Sequence, residues 1–286
     1  MALPNFFVIG APKAGTTSLH TDLDRHPQIQ MSAVKEPRFF AGPKNGIPFP
    51  ADHVASRQEY EALFDPDSPV RGESSTDYAT HPRRTGVPER IKELVPEARF
   101  VYMVRDPVDR TISHYRMRTA LLGERRPLAE ALADLSDLRC PYVAPSLYGT
   151  QLDLFLRHFP AERILVLDQA DLRSDRAATL AAIHRFLDVD DWLEAEPKGE
   201  MLLSSSEWRT YPAGYAGFIA RFVAPHFQWV PKGMRKGLRN RVERVLWQPL
   251  DSELSDDLRT RLQERFAPEA ARLRELTGKG FETWSV

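Results

Sequence analysis

Cysteine is almost absent from this 286-residue chain: Cys140 is the only one. A lone thiol cannot close an internal disulfide, and with no Cys or His cluster around it a structural zinc site has no ligand set; a reducing compartment is the natural setting. An excess of one charge sign is also missing. The 39 Lys and Arg stand against 40 Asp and Glu, a formal net charge of -1, which excludes a pervasive basic field for nucleic acid, so any anion site must be local. Long apolar runs are lacking too. Phe6 to Gly10 has no basic segment before it and is too short for a signal peptide or a membrane span, so a soluble, cytoplasmic protein is expected. No internal repeat, low-complexity tract or clear linker appears. What is plentiful is hydrophobic residue, 42% of the chain, enough for a sizeable core in one large domain or two small ones.

The apolar run at Asn5 to Gly10 is met at once by Pro12 and Gly15, which predicts a buried parallel strand ending in a loop. Thr16 to His26, with Leu19 and Leu23 four apart and Pro27 as a stop, predicts the helix that follows. Arg99 to Val104 and Arg163 to Leu167 read as further strands, with Val70 to Ser74 as another candidate. Helical patterns lie between them: Ser56 and Glu59 form a possible capping box, Pro88 opens a helix ending near Leu94, and Leu147, Leu154 and Phe155 share a face of one ending near Phe159. Strands alternating with helices predict a three-layer α/β fold around a parallel sheet. Ala41 to Ala55, rich in glycine and proline, is expected to be a loop and the best lid candidate. After Leu187 the strand signals fade, and an amphipathic helix is predicted from Ser255 through Leu258, Leu262 and Phe266. The expectation is therefore a single domain over residues 1–286, with an α/β core at 5–187 and a mainly helical extension at 188–286.

Two motifs carry chemistry. Gly10-Ala11-Pro12-Lys13-Ala14-Gly15-Thr16-Thr17 lies between strand and helix, where backbone N–H groups and a helix N-terminus cradle phosphate. An ATP-type loop would read G-x-x-x-x-G-K-[ST]; here Thr16 takes the lysine's place and Lys13 lies inside the loop. The loop alone does not name the nucleotide. The second motif, Arg105-Asp106-Pro107-x-x-Arg110-x-x-Ser113-x-Tyr115, puts Arg105 at a strand's carboxyl end and Ser113 two turns into a helix, a pair able to grip a phosphate. Singly, Arg105 with Asp106 also fits a surface ion pair, and Ser113 a solvated helix position.

Together the motifs resemble the sulfotransferases that use 3′-phosphoadenosine 5′-phosphosulfate (PAPS), closest to their heparan-sulfate-type branch and its bacterial relatives. Lys35-Glu36-Pro37-Arg38-Phe39-Phe40, Gly72 to Tyr78, and Tyr148 to Asp168 extend the resemblance over about Asn5 to Leu187. It implies a P-loop-like fold in which Pro12, Lys13, Ala14, Gly15, Thr16 and Thr17 hold the 5′-phosphosulfate. Arg105 and Ser113 hold the 3′-phosphate. It also implies PAP (3′,5′-adenosine bisphosphate) as product, no essential metal, and Lys13 and Glu36 as catalytic groups: Lys13 against charge on the leaving phosphate, Glu36 as base. The bland alternative for Glu36 is an ion pair with Lys35 or Arg38 on a solvated loop. His114 and His81 are rival bases. Glu73-Ser74 departs from the branch's Glu-Lys, so a lysine near acceptor and base is absent and animal heparan sulfate is not the expected substrate. The expected acceptor is a hydroxyl or amine on a carbohydrate or small metabolite; a nucleotide or small-molecule kinase and a non-catalytic nucleotide-binding module are the competing functions. The basic stretch Lys232 to Arg244 suits nucleotide phosphates, an anionic acceptor, a membrane surface or a solvated helix face. Trp208, Trp229 and Trp247 suit a pocket or the core. Oligomeric state is left open.

Overall fold

The computed structural model describes residues 2–42, 54–192 and 254–286, with the backbone of two short strands between the last two segments. The chain divides into two compact units: Met1–Thr111, Asp134–Leu202 and Asp256–Val286 form the first, Ile112–Ala133 and Leu203–Ser255 the second. Residues 43–53 of the lid candidate Ala41 to Ala55, the basic stretch Lys232 to Arg244 and Trp208, Trp229 and Trp247 lie outside the described residues.

In the first unit β1 (Phe6–Gly10) leads into α1 (Thr16–Asp24) and β2 (Ile29–Met31). A short helix, α2 (Arg57–Glu61), precedes β3 (Val70–Ser74), α3 (Val87–Leu94) and β4 (Arg99–Val104). Helix α4 (Pro107–Leu121) starts in the first unit and ends in the second, which also holds α5 (Leu128–Ala131) and the antiparallel pair Arg209–Thr210 with Gln248–Pro249. The first unit resumes with α6 (Tyr148–Leu156), β5 (Ile164–Asp168), α7 (Gln169–Ser174) and α8 (Arg176–Leu187), and closes with α9 (Asp256–Thr277). Among the described residues no helix is long and apolar enough to cross a membrane.

The five strands form one parallel sheet in the order β2-β3-β1-β4-β5, the predicted architecture. Phe6, Phe7, Val8 and Ile9 of β1, and Phe100 to Val104 of β4, are fully buried, as strands covered by helices on both faces must be. Phe7 packs between Phe40 and Phe100 at 5.7 Å from each ring. Ser56 and Glu59 form the anticipated capping box. Helix α6 buries Tyr148, Leu152 and Phe155; Leu154 is only half-buried and Leu147 stands outside it as the N-cap. Helix α9 buries Leu258, Leu262 and Phe266, the predicted stripe, and locks to α6 where Glu269 accepts from the Thr150 N–H and hydroxyl at 2.8 Å.

The loops that follow β1, β3 and β4 leave the sheet at its carboxyl edge, where open α/β sheets bind ligands.

Candidate functional site

The turn from β1 to α1 is tight. Gly15 caps α1 in the left-handed conformation (φ 86°), and Lys13 holds a left-handed φ of 74°. An L residue there costs roughly 1–2 kcal/mol, so the surrounding contacts over-determine the lysine's placement. The Ala14 N–H donates to the Ala11 carbonyl (3.1 Å), and the loop's Pro12 carbonyl accepts from Arg110 (3.4 Å). Arg110 is fully buried on α4, where it also donates to Ser146 Oγ (2.5 Å) and to the Tyr142 carbonyl. Burial pulls its pKa down to about 10, even though the Tyr148 and Tyr102 hydroxyls favour its charge. Lys13 is lowered first by burial and then by the positive charges of Arg105 and Arg110. Three cations therefore crowd one loop, an arrangement a multiply charged anion relieves.

Arg105 stands between β4 and α4. Its guanidinium reaches Asp109 (3.2 Å), and its carbonyl accepts from the Tyr148 hydroxyl (2.9 Å). The ion pair expected as the bland reading is thus present, with Asp109 rather than Asp106 as partner. Ser113 is buried on α4, in the second unit, as is His114.

Glu36 lies on the loop after β2, itself left-handed (φ 61°), as is Arg38 (φ 58°). Its N–H donates to the Ser74 carbonyl (2.9 Å), tying the loop to the end of β3. One carboxylate oxygen takes Lys35 (3.3 Å) and the Thr76 hydroxyl (2.9 Å); the other takes Arg38 twice, at 2.5 and 3.2 Å. Glu36 does pair with both neighbouring cations, yet it is only 20% exposed and fixed from three directions, unlike a carboxylate on a freely solvated loop.

Next to it Glu73 is completely buried. Burial raises its pKa to about 8, and the Glu36 charge adds to the rise. The hydroxyls of Tyr78, Tyr60 and Ser75 stand close enough to oppose that shift, but among the described residues none meets a Glu73 oxygen in good hydrogen-bond geometry. The carboxyl is therefore neutral at pH 7 and adds no second negative charge beside Glu36.

Sequence reasoning missed His20. On α1 it lies one turn beyond Thr16, and its Nδ1 is 3.0 Å from Oγ of Ser74, the residue standing where the resemblance leads one to expect lysine. Spacing from Thr16 was the only available signal, since the partner is 54 residues away in the chain. Arg110 was visible in the second motif but carried no assigned role. His81, the other rival base, lines a cavity of about 190 Å³ with Tyr78, Arg84 and Gln151, none of them in the anion loop or the Glu36 loop. Among the described residues no cluster of His, Cys, Asp or Glu is arranged to hold a metal ion.

Known proteins resemble this chain throughout. A family model described as "Sulfotransferase domain" matches residues 3–199. The bifunctional heparan sulfate N-deacetylase/N-sulfotransferase 2 of Bos taurus is 29% identical over 216 residues, 67% of this chain and 22% of that protein. The bifunctional heparan sulfate N-deacetylase/N-sulfotransferase of Drosophila melanogaster is 26% identical over 302 residues, 91% of this chain and 28% of that protein. The chain thus spans about a quarter of the length of these relatives. A crystal structure of a sulfotransferase from Alicyclobacillus acidocaldarius covers 100% of both chains at 24% identity with a TM-score of 0.70, which shows a shared fold.

Proposed function

The chain belongs to the sulfotransferase domain family, and from that premise we propose that it transfers a sulfuryl group from PAPS to an amine or hydroxyl of a carbohydrate or small metabolite. The observation that carries the donor assignment is the convergence of Lys13, Arg105 and Arg110 at the β1 loop. The positive charges of Arg105 and Arg110 disfavour the charged form of Lys13, and a polyanion would relieve them. When bound, PAPS supplies a sulfuryl group already activated on a 5′-phosphate.

The chain's own residues do the rest. The backbone from Pro12 to Gly15 and the hydroxyls of Thr16 and Thr17 cradle the 5′ end, while Arg105 and Ser113 take the 3′-phosphate. Lys13 places an ammonium where negative charge grows on the leaving phosphate, an interaction stronger in the transition state than in the ground state. Glu36 accepts a proton from the attacking group. An acceptor on a sugar is favoured by the relatives' names, which speak of heparan sulfate and N-sulfotransfer; this chain's Ser74 makes the acceptor its own question. A kinase would want a lysine at Thr16, and the whole chain is taken to act as one sulfotransferase domain.

Thermal shift with PAP, with ATP and Mg²⁺, and with AMP tests the donor site, because a ligand that binds only the folded state stabilises it by about 2.7 kcal/mol at 100-fold over Kd. PAP should raise Tm far more than AMP. Arg105→Ala should weaken PAP by about 1.5–3 kcal/mol while leaving adenosine 5′-phosphosulfate nearly unchanged, since one charge-assisted contact to the 3′-phosphate is lost. Equal weakening of both ligands would remove Arg105 from that role.

A further inference from the structure

The residues that follow α9 are fastened to the first unit at several points. Arg274 on α9 donates from Nε to the Gly280 carbonyl (2.7 Å) and from Nη2 to a main-chain oxygen of Val286 (2.6 Å), so one side chain holds both ends of the segment. Lys279 donates to the Val166 carbonyl of β5 (2.6 Å). Within the segment the Trp284 N–H donates to the Phe281 carbonyl (3.1 Å), closing a turn on which the Phe281 and Trp284 rings stack at 4.5 Å. Phe281 takes a left-handed φ of 52°, which a bulky residue keeps only where its surroundings over-determine it.

This turn lies against the carboxyl ends of β4 and β5, where Val104 pairs with Asp168. Three contacts tie it there. The Trp284 Nε1–H donates to Oδ2 of the buried Asp168 (2.8 Å), whose Oδ1 caps α7 by accepting from the Ala170 N–H (3.0 Å). The Trp284 ring packs on the ring of Tyr148 at 5.6 Å, and the hydroxyl of that fully buried tyrosine donates to the Arg105 carbonyl (2.9 Å). The Ser285 N–H donates to Oδ2 of Asp106, whose Oδ1 accepts from the Asp109 N–H (2.9 Å) at the start of α4. Arg105 and Asp106 are thus held, directly or through one tyrosine, by a turn 179 residues further along the chain.

The Arg105 guanidinium is held less firmly than its backbone. Its partner Asp109 is 63% exposed at 3.2 Å, and an exposed ion pair of that kind is weak enough for a phosphate to displace. What aims the guanidinium is then the backbone from which it springs. We propose that Trp284 is a positioning residue for the donor's 3′-phosphate: with Tyr148, Asp168 and Ser285 it fixes the stretch of chain from which Arg105 reaches that phosphate. This rests on the donor reading above and deepens it. A charge-assisted hydrogen bond weakens as its donor is misaligned, and a backbone fixed before the ligand arrives spares the cost of ordering it on binding. Trp284 acts here without touching the nucleotide, so its loss is felt only through Arg105. A side chain that merely supports the fold would weaken ligands with and without the 3′-phosphate alike.

The test measures binding of PAP and of adenosine 5′-phosphosulfate to wild type, Trp284→Phe, Tyr148→Phe, Arg105→Ala and the double variant Arg105→Ala with Trp284→Phe, each below its unfolding temperature. Trp284→Phe keeps a ring against Tyr148 and removes the donor to Asp168; Tyr148→Phe removes only the hydroxyl on the Arg105 carbonyl. Each should weaken PAP by about 5- to 10-fold, part of the roughly 10- to 150-fold that the whole Arg105 contact contributes, and leave adenosine 5′-phosphosulfate within about twofold. In the Arg105→Ala background Trp284→Phe should cost PAP nothing further, because the contact it positions is gone. The indole N–H signal of Trp284 in the wild type should shift on binding PAP and shift less on binding adenosine 5′-phosphosulfate. Equal weakening of the two ligands, no weakening, or additive losses in the double variant overturn the proposal. Were Trp284→Phe to unfold, Tyr148→Phe and the wild-type indole signal decide it: equal weakening, or a signal indifferent to the 3′-phosphate, overturns it. The two levels separate through Arg105→Ala. If that variant spares PAP the donor reading falls as well; a PAP-specific loss there without one in Trp284→Phe sinks this inference alone.

Discussion

Glu73 shows how one side chain sets the charge of the site. Its folded pKa is about 8 against a reference of 4.5. Below pH 4.5 folded and unfolded chains are both protonated there; as pH rises, the unfolded chain releases the proton first, and stability is lost until the folded value is passed. Glu73→Gln keeps the shape and removes the titration. Its stability in urea should therefore gain on wild type between about pH 5 and 8, by on the order of a few kcal/mol. Parallel curves would mean that Glu73 is already ionised in the fold. None of this was legible from the sequence, where Glu73 is one acid in a polar run; its burial comes from Tyr60 and Tyr78, which the fold brings to it. Glu36 was easier, because its cationic partners Lys35 and Arg38 are its chain neighbours. His20 was hidden, because β3 supplies its partner.

Strands β1 and β4 were legible because parallel strands buried on both faces read as unbroken apolar runs. Strand β2 was not, being only Ile29–Met31 with a glutamine in the middle. Strand β3 reads poorly for a related reason: Val-Arg-Gly-Glu-Ser has little apolar character, and its membership is enforced by packing. Gly72 pairs with Phe6, and a Cβ built on it would fall 2.1 Å from the Phe6 ring. Flipping the ring about its own axis does not relieve the clash, since Cζ, the closest atom, lies on that axis. Gly72→Ala should destabilise the protein by about 1–3 kcal/mol, the usual cost of overpacking. It should also move Glu73 and Ser74, the next two residues, so that PAPS turnover falls more than PAP affinity. Gly72→Ala with Phe6→Leu should recover part of the stability, read as the urea midpoint; no recovery would locate the strain elsewhere.

Stability against pH gathers contributions from distant parts of the first unit. At the far end of α8, the rings of His26 and His184 lie 4.5 Å apart; His26 bonds the Asp190 carbonyl through Nε2 (2.9 Å), and Gln28 grips the Asp190 carboxylate (3.0 Å). Through Asp190 the acidic run Asp188 to Asp191 fastens the end of α8 to the α1–β2 junction. Burial lowers the His184 pKa from 6.5, the neighbouring His26 lowers it further, and Asp191 only partly opposes them. The unfolded chain then takes up the proton more readily. The stability from His184 is complete above pH 6.5 and is lost as pH falls below it, by up to about 1.4 kcal/mol per pH unit. Glu73 acts in the opposite sense over the same interval, losing stability as pH rises from 5 to 6.5. The two slopes have opposite signs, so a variant lacking one group shows the sign of the other. Glu73→Gln should gain stability with rising pH across pH 5 to 6.5, and His184→Asn should lose it. Because the readout is slope, a uniform loss from the changed packing of His184→Asn does not disturb it. Urea unfolding of the three proteins at pH 5.0, 5.75 and 6.5 decides the matter, and slopes of the same sign in both variants would show that one of the two assignments is wrong.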